Sequence, residues 1–376
     1  MSPSSDGRTG EKEPADTAQS GTDFVPYALT RAGTLMRPEP ANPDEAEGVL
    51  NPGSGWGPDG QLYLLPRLVA AGNVSRVGLA QVDIADGMPV GVRRRGVVLS
   101  PDAAWEKSRT HAGVEDPRVT YLPSLGRFLM TYVAYGPFGP RPALATSTDL
   151  LSWKRLGPLH FDYQEELDVD LNLIPNKDVV YFPEPVPGPD GEPCYAALHR
   201  PMWDLDWIVP GAGRQMPAGM SDDRPGIWIS YIPVAAALRD VRAMTHLSHH
   251  TLVAMPQYEF EALKIGAGPP PIRVEEGWLL IHHGVSGVLV TGVEQQQGAR
   301  YAAGAMILSE HDPSQVLVRT PKPLMAPHTA AETEGIVPNV VFPTAIEKIA
   351  GRTFVFYGMA DSQIGVATLD RVAEQS

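Results

Sequence analysis

A repeat constrains this chain more than any other feature. A glycine followed by an apolar, alternating strand recurs five times, at residues 60–67 (GQLYLLPR), 126–133 (GRFLMTYV), 191–200 (GEPCYAALHR), 277–284 (GWLLIHHG) and 351–358 (GRTFVFYG). A second strand of small and β-branched residues follows each copy, at 75–82, 141–148, 226–233, 300–307 and 362–369. Each pair reads as a hairpin. Successive glycines lie 66, 65, 86 and 74 residues apart, room for four strands per copy plus loops. Convincing helical patterns are few, with 234–244 able to form a short one. The 37 glycines and 38 prolines favour short elements joined by tight turns. Five such antiparallel units fit radial repetition best, so we expect an all-β chain folded as a five-bladed β-propeller.

A propeller brings equivalent strand ends to one axial mouth. The first strands of four copies end in Arg67, Arg200, His283 and the Gly358-Met359-Ala360-Asp361 stretch. These residues are expected either to converge there or simply to face water. The net charge of −14 argues against nucleic acid and anionic membrane as partners, without excluding a local basic pocket. Cys194 is the one cysteine, so no intramolecular disulfide forms. No apolar run reaches the roughly 18 residues of a membrane helix. Residues 1–25 lack the apolar centre of a secretory signal and read as a disordered tail before a single domain over 26–376. A cytoplasmic protein is expected, and a homo-oligomer is compatible with such a shape.

Two groups of residues could do chemistry. In Glu115-Asp116-Pro117-Arg118 the proline should hold Asp116 extended. The neighbouring carboxylate should keep it protonated longer, as a general acid requires, with a guanidinium close by. A plain Asp-Pro turn is the alternative. The second group is cationic. The chain has seven lysines, and Lys264 stands among apolar residues before a glycine-rich turn. Together with Lys177, Arg200 and His283 it could cradle a phosphate. The alternative is salt bridging to carboxylates such as Asp178 or Glu184. No metal is expected: His249-His250 and His282-His283 are neighbours that point to opposite faces of a strand, and metal-binding, nucleotide-binding and serine-hydrolase motifs are absent.

Taken in order, these stretches resemble a known family. After Glu115–Arg118 come ALATSTDLLSW at 143–153, NKD at 176–178, FPE at 182–184, LHRP at 198–201, KIGAGPP at 264–270, the 277–284 strand and VPNVVF at 337–342. The series resembles glycoside hydrolase family 130, the β-mannoside phosphorylases, from about Glu47 to Leu369. The resemblance implies a five-bladed propeller that cleaves a β-mannoside (mannobiose, mannooligosaccharide or mannosylglucose) with inorganic phosphate. That reaction inverts the anomeric centre, gives α-mannose 1-phosphate and needs no cofactor. It makes Asp116 the proton donor, acting through a sugar hydroxyl. It assigns phosphate to Lys177 (where the family also uses arginine), Arg200, Lys264, His283 and Tyr301. Asn51, Arg67 and Asp361 match sugar-binding positions, and Glu115 is expected to contact substrate beside them.

Relatives that hydrolyse lose the basic set, which is intact here. Hydrolysis by a β-mannosidase and silent sugar binding remain the competing expectations. Residues 202–225 appear inserted relative to a short family member and carry Trp203 and Trp207. They are expected to wall the leaving-group subsite with aromatic faces, or else to form a surface loop or oligomer contact.

Overall fold

The structure, a computed structural model, describes residues 24–109, 112–206, 209–289, 296 and 298–373. Most of the expected tail, residues 1–23, lies outside the described residues, as does Trp207. Val25 is already part of the buried core.

Five antiparallel sheets surround one axis. Blade 1 runs from its inner strand Gly48–Trp56 through Leu62–Ala70 and Val74–Ala85 to Met88–Leu99. Blade 2 is built the same way from Val114–Leu122, Arg127–Gly136, Gly139–Ser147 and Lys154–Pro158. Blade 3 comprises Asn176–Tyr181, Pro193–Pro201, Ile227–Pro233 and His246–Ala254, with the short His160–Phe161 added in parallel outside. Blade 4 comprises Lys264–Ala267, Gly277–Gly287, Ala299–Leu308 and Val316–Arg319. Blade 5 takes Val341–Ile349, Arg352–Met359 and Gln363–Arg371 from the C-terminal end and its outer strand, Tyr27–Met36, from the N-terminal end. That pairing closes the ring without a free seam. The five hairpins of the sequence repeat are the second and third strands of the blades. The expected helix at 234–244 is an α-helix over Val234–Arg239 and a 3-10 turn over Val241–Thr245.

Each blade is apolar on both faces because each is covered by two neighbours. The buried core accordingly divides into clusters at the blade–blade interfaces, with a second, smaller one between blades 4 and 5 around Tyr301 and Phe342. Tyr63, Leu65 and Val77 of blade 1 meet Phe128, Met130 and Tyr132 of blade 2 in one of them. Phe182 and Ile229 of blade 3 meet Trp278 and Leu280 of blade 4 in another.

A second device repeats beside the apolar one. In four blades a buried glutamate before the inner strand pairs with an arginine on the outer strand. The pairs are Glu45–Arg94, Glu106–Arg155, Glu261–Arg319 and Glu332–Arg31, each with a closest N–O distance of 2.7 Å. The glutamates also accept backbone N–H groups of their own turns, so the buried carboxylates are satisfied. In blades 2, 4 and 5 an aromatic side chain of the second strand joins in: Tyr132, His282 and Tyr357. These clamps tie the connection entering each blade to its far edge. Blade 3 is built differently, as described below.

Candidate active site

The inner strands do not run smoothly to the axial mouth. Registers slip between Leu50 and Gly53, Glu115 and Arg118, and Lys177 and Val180. At these bulges Asn51, Asp116 and Asp178 take φ of +41°, +48° and +56°. Asparagine and aspartate tolerate this left-handed region better than other residues with a side chain. The bulges turn three polar side chains toward the axis from three blades. Asp116 is therefore not extended, as Pro117 alone suggested. The proline disfavours the right-handed helical region, and the bulge uses the left-handed one instead.

The side chains meet in a cavity of about 880 Å³. Asn51, Arg67, Glu115, Asp116, Lys177, Arg200, Lys264, His283, Tyr301 and Asp361 all line it, so each site residue expected from the sequence arrives at one place. Asp116 Oδ1 accepts hydrogen bonds from Asn51 Nδ2 at 2.8 Å and Arg67 Nη1 at 3.1 Å. Arg67 Nη2 reaches Glu115 Oε1 at 3.0 Å, and its Nε donates to Ser75. Gly358 keeps this corner open, since a Cβ there would collide with the Asn51 amide oxygen.

One expectation about Asp116, the guanidinium close by, is met, and one is corrected. Arg118 bonds the backbone oxygen of Asp116, not its carboxylate, and reaches Gly268 O at 2.9 Å. It thus ties blade 2 to blade 4 across the axis. The Asp116 carboxyl is not held protonated by Glu115. Burial pushes its pKa up, but Arg67, Lys177 and Arg118 outweigh this and hold it below the ordinary range. The carboxyl pushed up, to about 6, is Asp361, by burial and then by Asp116 and Glu115 against the opposing pull of Arg67.

The opposite side is cationic. Arg200 Nε donates to Asp178 Oδ2 at 2.6 Å, while Arg118 Nη2 lies 3.7 Å from Asp178 Oδ1. Burial raises the Asp178 pKa, but the guanidinium charges of Arg200 and Arg118 hold it far below the ordinary range. The salt bridge read from sequence as the alternative is thus formed by Arg200, which also lines the cavity. Glu184 pairs with Arg273 instead.

His283 Nε2 is 3.5 Å from Asp178, yet burial keeps the imidazole neutral, so this contact is not an ion pair. Gly266 lets the inner strand of blade 4 pass this point, since a Cβ would strike Asp178 and His283. Lys264 Nζ lies 5.5 Å from the centre of the Tyr301 ring. Its pKa falls to about 7, first from burial and then from repulsion by Arg200 and Lys177. Among the described residues, Arg200 Nη1 and both His283 ring nitrogens have no hydrogen-bond partner. Buried donors of this kind suit an anionic oxygen.

The 202–225 segment does reach the cavity, through Met202, Asp204, Arg214, Asp223 and Arg224 among others. Asp204 bridges to Arg214, which makes a short hairpin, and Arg214 pairs with Asp223. Trp203 does not offer a sugar-facing ring. It is 1% exposed and packs edge-on against Trp228 in the core between blades 2 and 3.

Sequence reasoning missed several lining residues. Asp178 was visible only as a salt-bridge partner. Tyr135 lies two residues beyond Val133, which holds the place of Arg67 and Arg200 in the second copy, so the repeat gave no direct signal for it. Phe342, whose ring centre is 4.4 Å from that of His283, had none beyond its motif.

Comparison with known proteins bears on the family and the fold. The family model for β-1,4-mannooligosaccharide phosphorylase matches residues 73–201 and 241–374, leaving out the stretch that contains the inserted hairpin. A 1,2-β-oligomannan phosphorylase of Thermoanaerobacter sp. is 31% identical over 72% of this chain and 72% of its own. A β-1,2-mannobiose phosphorylase of the same organism is 30% identical over 72% and 69%. The solved structure of β-1,2-mannobiose phosphorylase from Listeria innocua in complex with β-1,2-mannobiose superposes with a TM-score of 0.65. It covers 92% of this chain and 96% of that one at 21% identity, and so bears on the fold. The chain belongs to glycoside hydrolase family 130, the family of the β-mannoside phosphorylases.

Proposed function

We propose that the protein cleaves a β-mannoside with inorganic phosphate, inverting the anomeric carbon to give α-mannose 1-phosphate and a shortened sugar. One observation carries this reading: Lys177, Arg200, Lys264 and His283 line one cavity with Asp116, and Asp178, the carboxylate among these cations, is already bonded to Arg200. An inverting hydrolase needs a second carboxylate free to activate water. A phosphorylase needs cations that hold the nucleophile in line with the anomeric carbon.

In the proposed reaction a phosphate oxygen attacks the anomeric carbon from the face opposite the glycosidic oxygen. The C–O bond breaks and its electron pair stays on the leaving sugar. The proton for that oxygen passes from Asp116 through a mannose hydroxyl. Asn51, Arg67, Glu115 and Asp361 hold the mannose, and Tyr301 completes the phosphate set. The low pKa of Asp116 belongs to the phosphate-free cavity. Phosphate beside Lys177 adds negative charge, and H₂PO₄⁻ supplies a proton, so binding the nucleophile restores the acid.

The two relatives matched over the largest share of the chain are named for β-1,2-linked mannosides, which makes β-1,2-mannobiose the first substrate to try. Incubation with β-1,2- and β-1,4-mannobiose and mannosylglucose, with and without phosphate, tests the reading. Mannose 1-phosphate formed only with phosphate is expected. Free mannose released without phosphate would overturn it in favour of hydrolysis, and binding without turnover would leave a sugar-binding propeller.

A further inference from the structure

Among the described residues, blade 3 lacks the glutamate–arginine clamp of the other four. In its place a chain of neutral groups crosses the blade. His250 Nε2 meets the Asp162 carbonyl at 2.8 Å, and His250 Nδ1 meets Ser230 Oγ at 2.8 Å. Ser230 Oγ meets His199 Nε2 at 2.8 Å, and His199 Nδ1 meets Asn176 Nδ2 at 3.0 Å. Asn176 Oδ1 then accepts the backbone N–H of Arg200 at 3.1 Å. All four side chains are buried. His199 precedes Arg200 as His282 precedes His283, so it holds the place of the aromatic clamp residue. Its partners, however, lead inward to the cavity.

The ends of the chain dictate its direction. The Asp162 carbonyl can only accept, so His250 donates from Nε2 and, being neutral, accepts at Nδ1. Ser230 must then donate to His250 and accept from His199 Nε2. His199 accepts at Nδ1 from the Asn176 amide nitrogen, which leaves Oδ1 for the Arg200 N–H. Each link satisfies its neighbour only in this sense, and burial keeps both imidazoles neutral. Breaking any link frees Asn176 to turn, and Asn176 is the residue between the chain and the Lys177–Arg200 pair of opposed strands.

We propose that His199, Ser230 and His250 are positioning residues: through Asn176 they hold the backbone of Arg200 and Lys177 in the register that aims both cations at the phosphate. This rests on reading the cation cluster as the phosphate site. The clamps elsewhere secure loops, whereas this one secures the nucleophile's ligands.

The test uses the full chain. Inorganic phosphate binding is measured by titration calorimetry, alongside steady-state kinetics with β-1,2-mannobiose and melting temperatures. Ser230→Ala and His199→Phe are expected to weaken phosphate binding and raise the KM for phosphate about tenfold, the scale of one lost buried hydrogen bond. The KM for mannobiose should stay within about twofold. Tyr132→Phe, at the clamp position of blade 2, should lower the melting temperature and leave both KM values unchanged. Should His199→Phe not fold, Ser230→Ala carries the same test. A phosphate constant that stays at the wild-type value overturns the proposal, as does an equal rise for both substrates. If the wild-type protein binds no phosphate, it is the reading of the cluster that fails instead.

Discussion

Lys264 should make the phosphate-free protein less stable than it could be. Its ammonium is half-buried beside Arg200 and Lys177, with Asp178 as the opposing charge, and its pKa falls from 10.5 to about 7. An unfolded chain keeps this lysine protonated up to its ordinary value. Between pH 7 and 10.5 the unfolded state therefore binds the proton that the folded state gives up, so stability rises with pH across that window. The cost at pH 7 is roughly 4 kcal/mol on the bare arithmetic, and about 2 kcal/mol if the cavity relaxes around the charge. Lys264→Met keeps the chain's length against the Tyr301 ring and removes the charge. In phosphate-free buffer at pH 7 this variant should be more stable by on the order of 2–4 kcal/mol, a rise of several degrees in melting temperature. The gain should shrink steadily toward pH 10. Phosphate should raise the wild-type melting temperature and raise that of the variant much less, because the ligand pairs with the ammonium only when it is present. The KM for phosphate should rise with little change in the KM for mannoside. A Lys264→Met protein no more stable than wild type at pH 7 without phosphate would refute the electrostatic account of the cluster.

Other outcomes follow from the same geometry. Asp116→Asn should lower kcat at least about a thousandfold while circular dichroism and melting temperature stay near wild type, since the change removes the proton donor but keeps the side chain's volume. Asp361 is raised from 3.8 to about 6, so the folded protein holds its proton through pH 4–6 and stability falls as pH rises through that window. Asp361→Asn should then stabilise the protein by roughly 2–3 kcal/mol at pH 7.5 and hardly at all at pH 4, while mannoside affinity drops; equal effects at the two pH values would count against the shift. Arg214→Ala removes a side chain of this segment from the cavity lining together with its pairing to Asp223, keeps Trp203 in the core, and should weaken binding of the acceptor sugar. Unchanged acceptor affinity in synthetic-direction kinetics would remove the wall assignment.

Much of the architecture was legible before any coordinates because its signals are local. A glycine, an alternating strand, a turn and a second strand lie within about twenty residues in three copies and within 43 and 31 in the other two, and five copies imply radial closure. If the copies are blades, equivalent strand ends converge, which is why Arg67, Arg200, His283 and Asp361 could be expected at one mouth, with strand ends facing water as the alternative. Strand closure by Tyr27–Met36 was not legible, since it joins segments from opposite ends of the chain.

The character of the site was decided by tertiary contacts. Asp116 next to Glu115 looked like a raised acid, but Arg67 and Asn51, 49 and 65 residues away in the chain, reverse the sign. Trp203 looked like a sugar platform until Trp228 buried it. The bulges, the pairing of Arg200 with Asp178 and the hydrogen-bond chain of blade 3 likewise join residues that are distant in sequence. The sequence by itself determined the repeat, and with it the blades and the mouth, because hairpin pairing depends on neighbours along the chain. Only the tertiary structure decided which groups carry charge and which rings face the cavity, because burial and Coulomb interaction depend on neighbours in space.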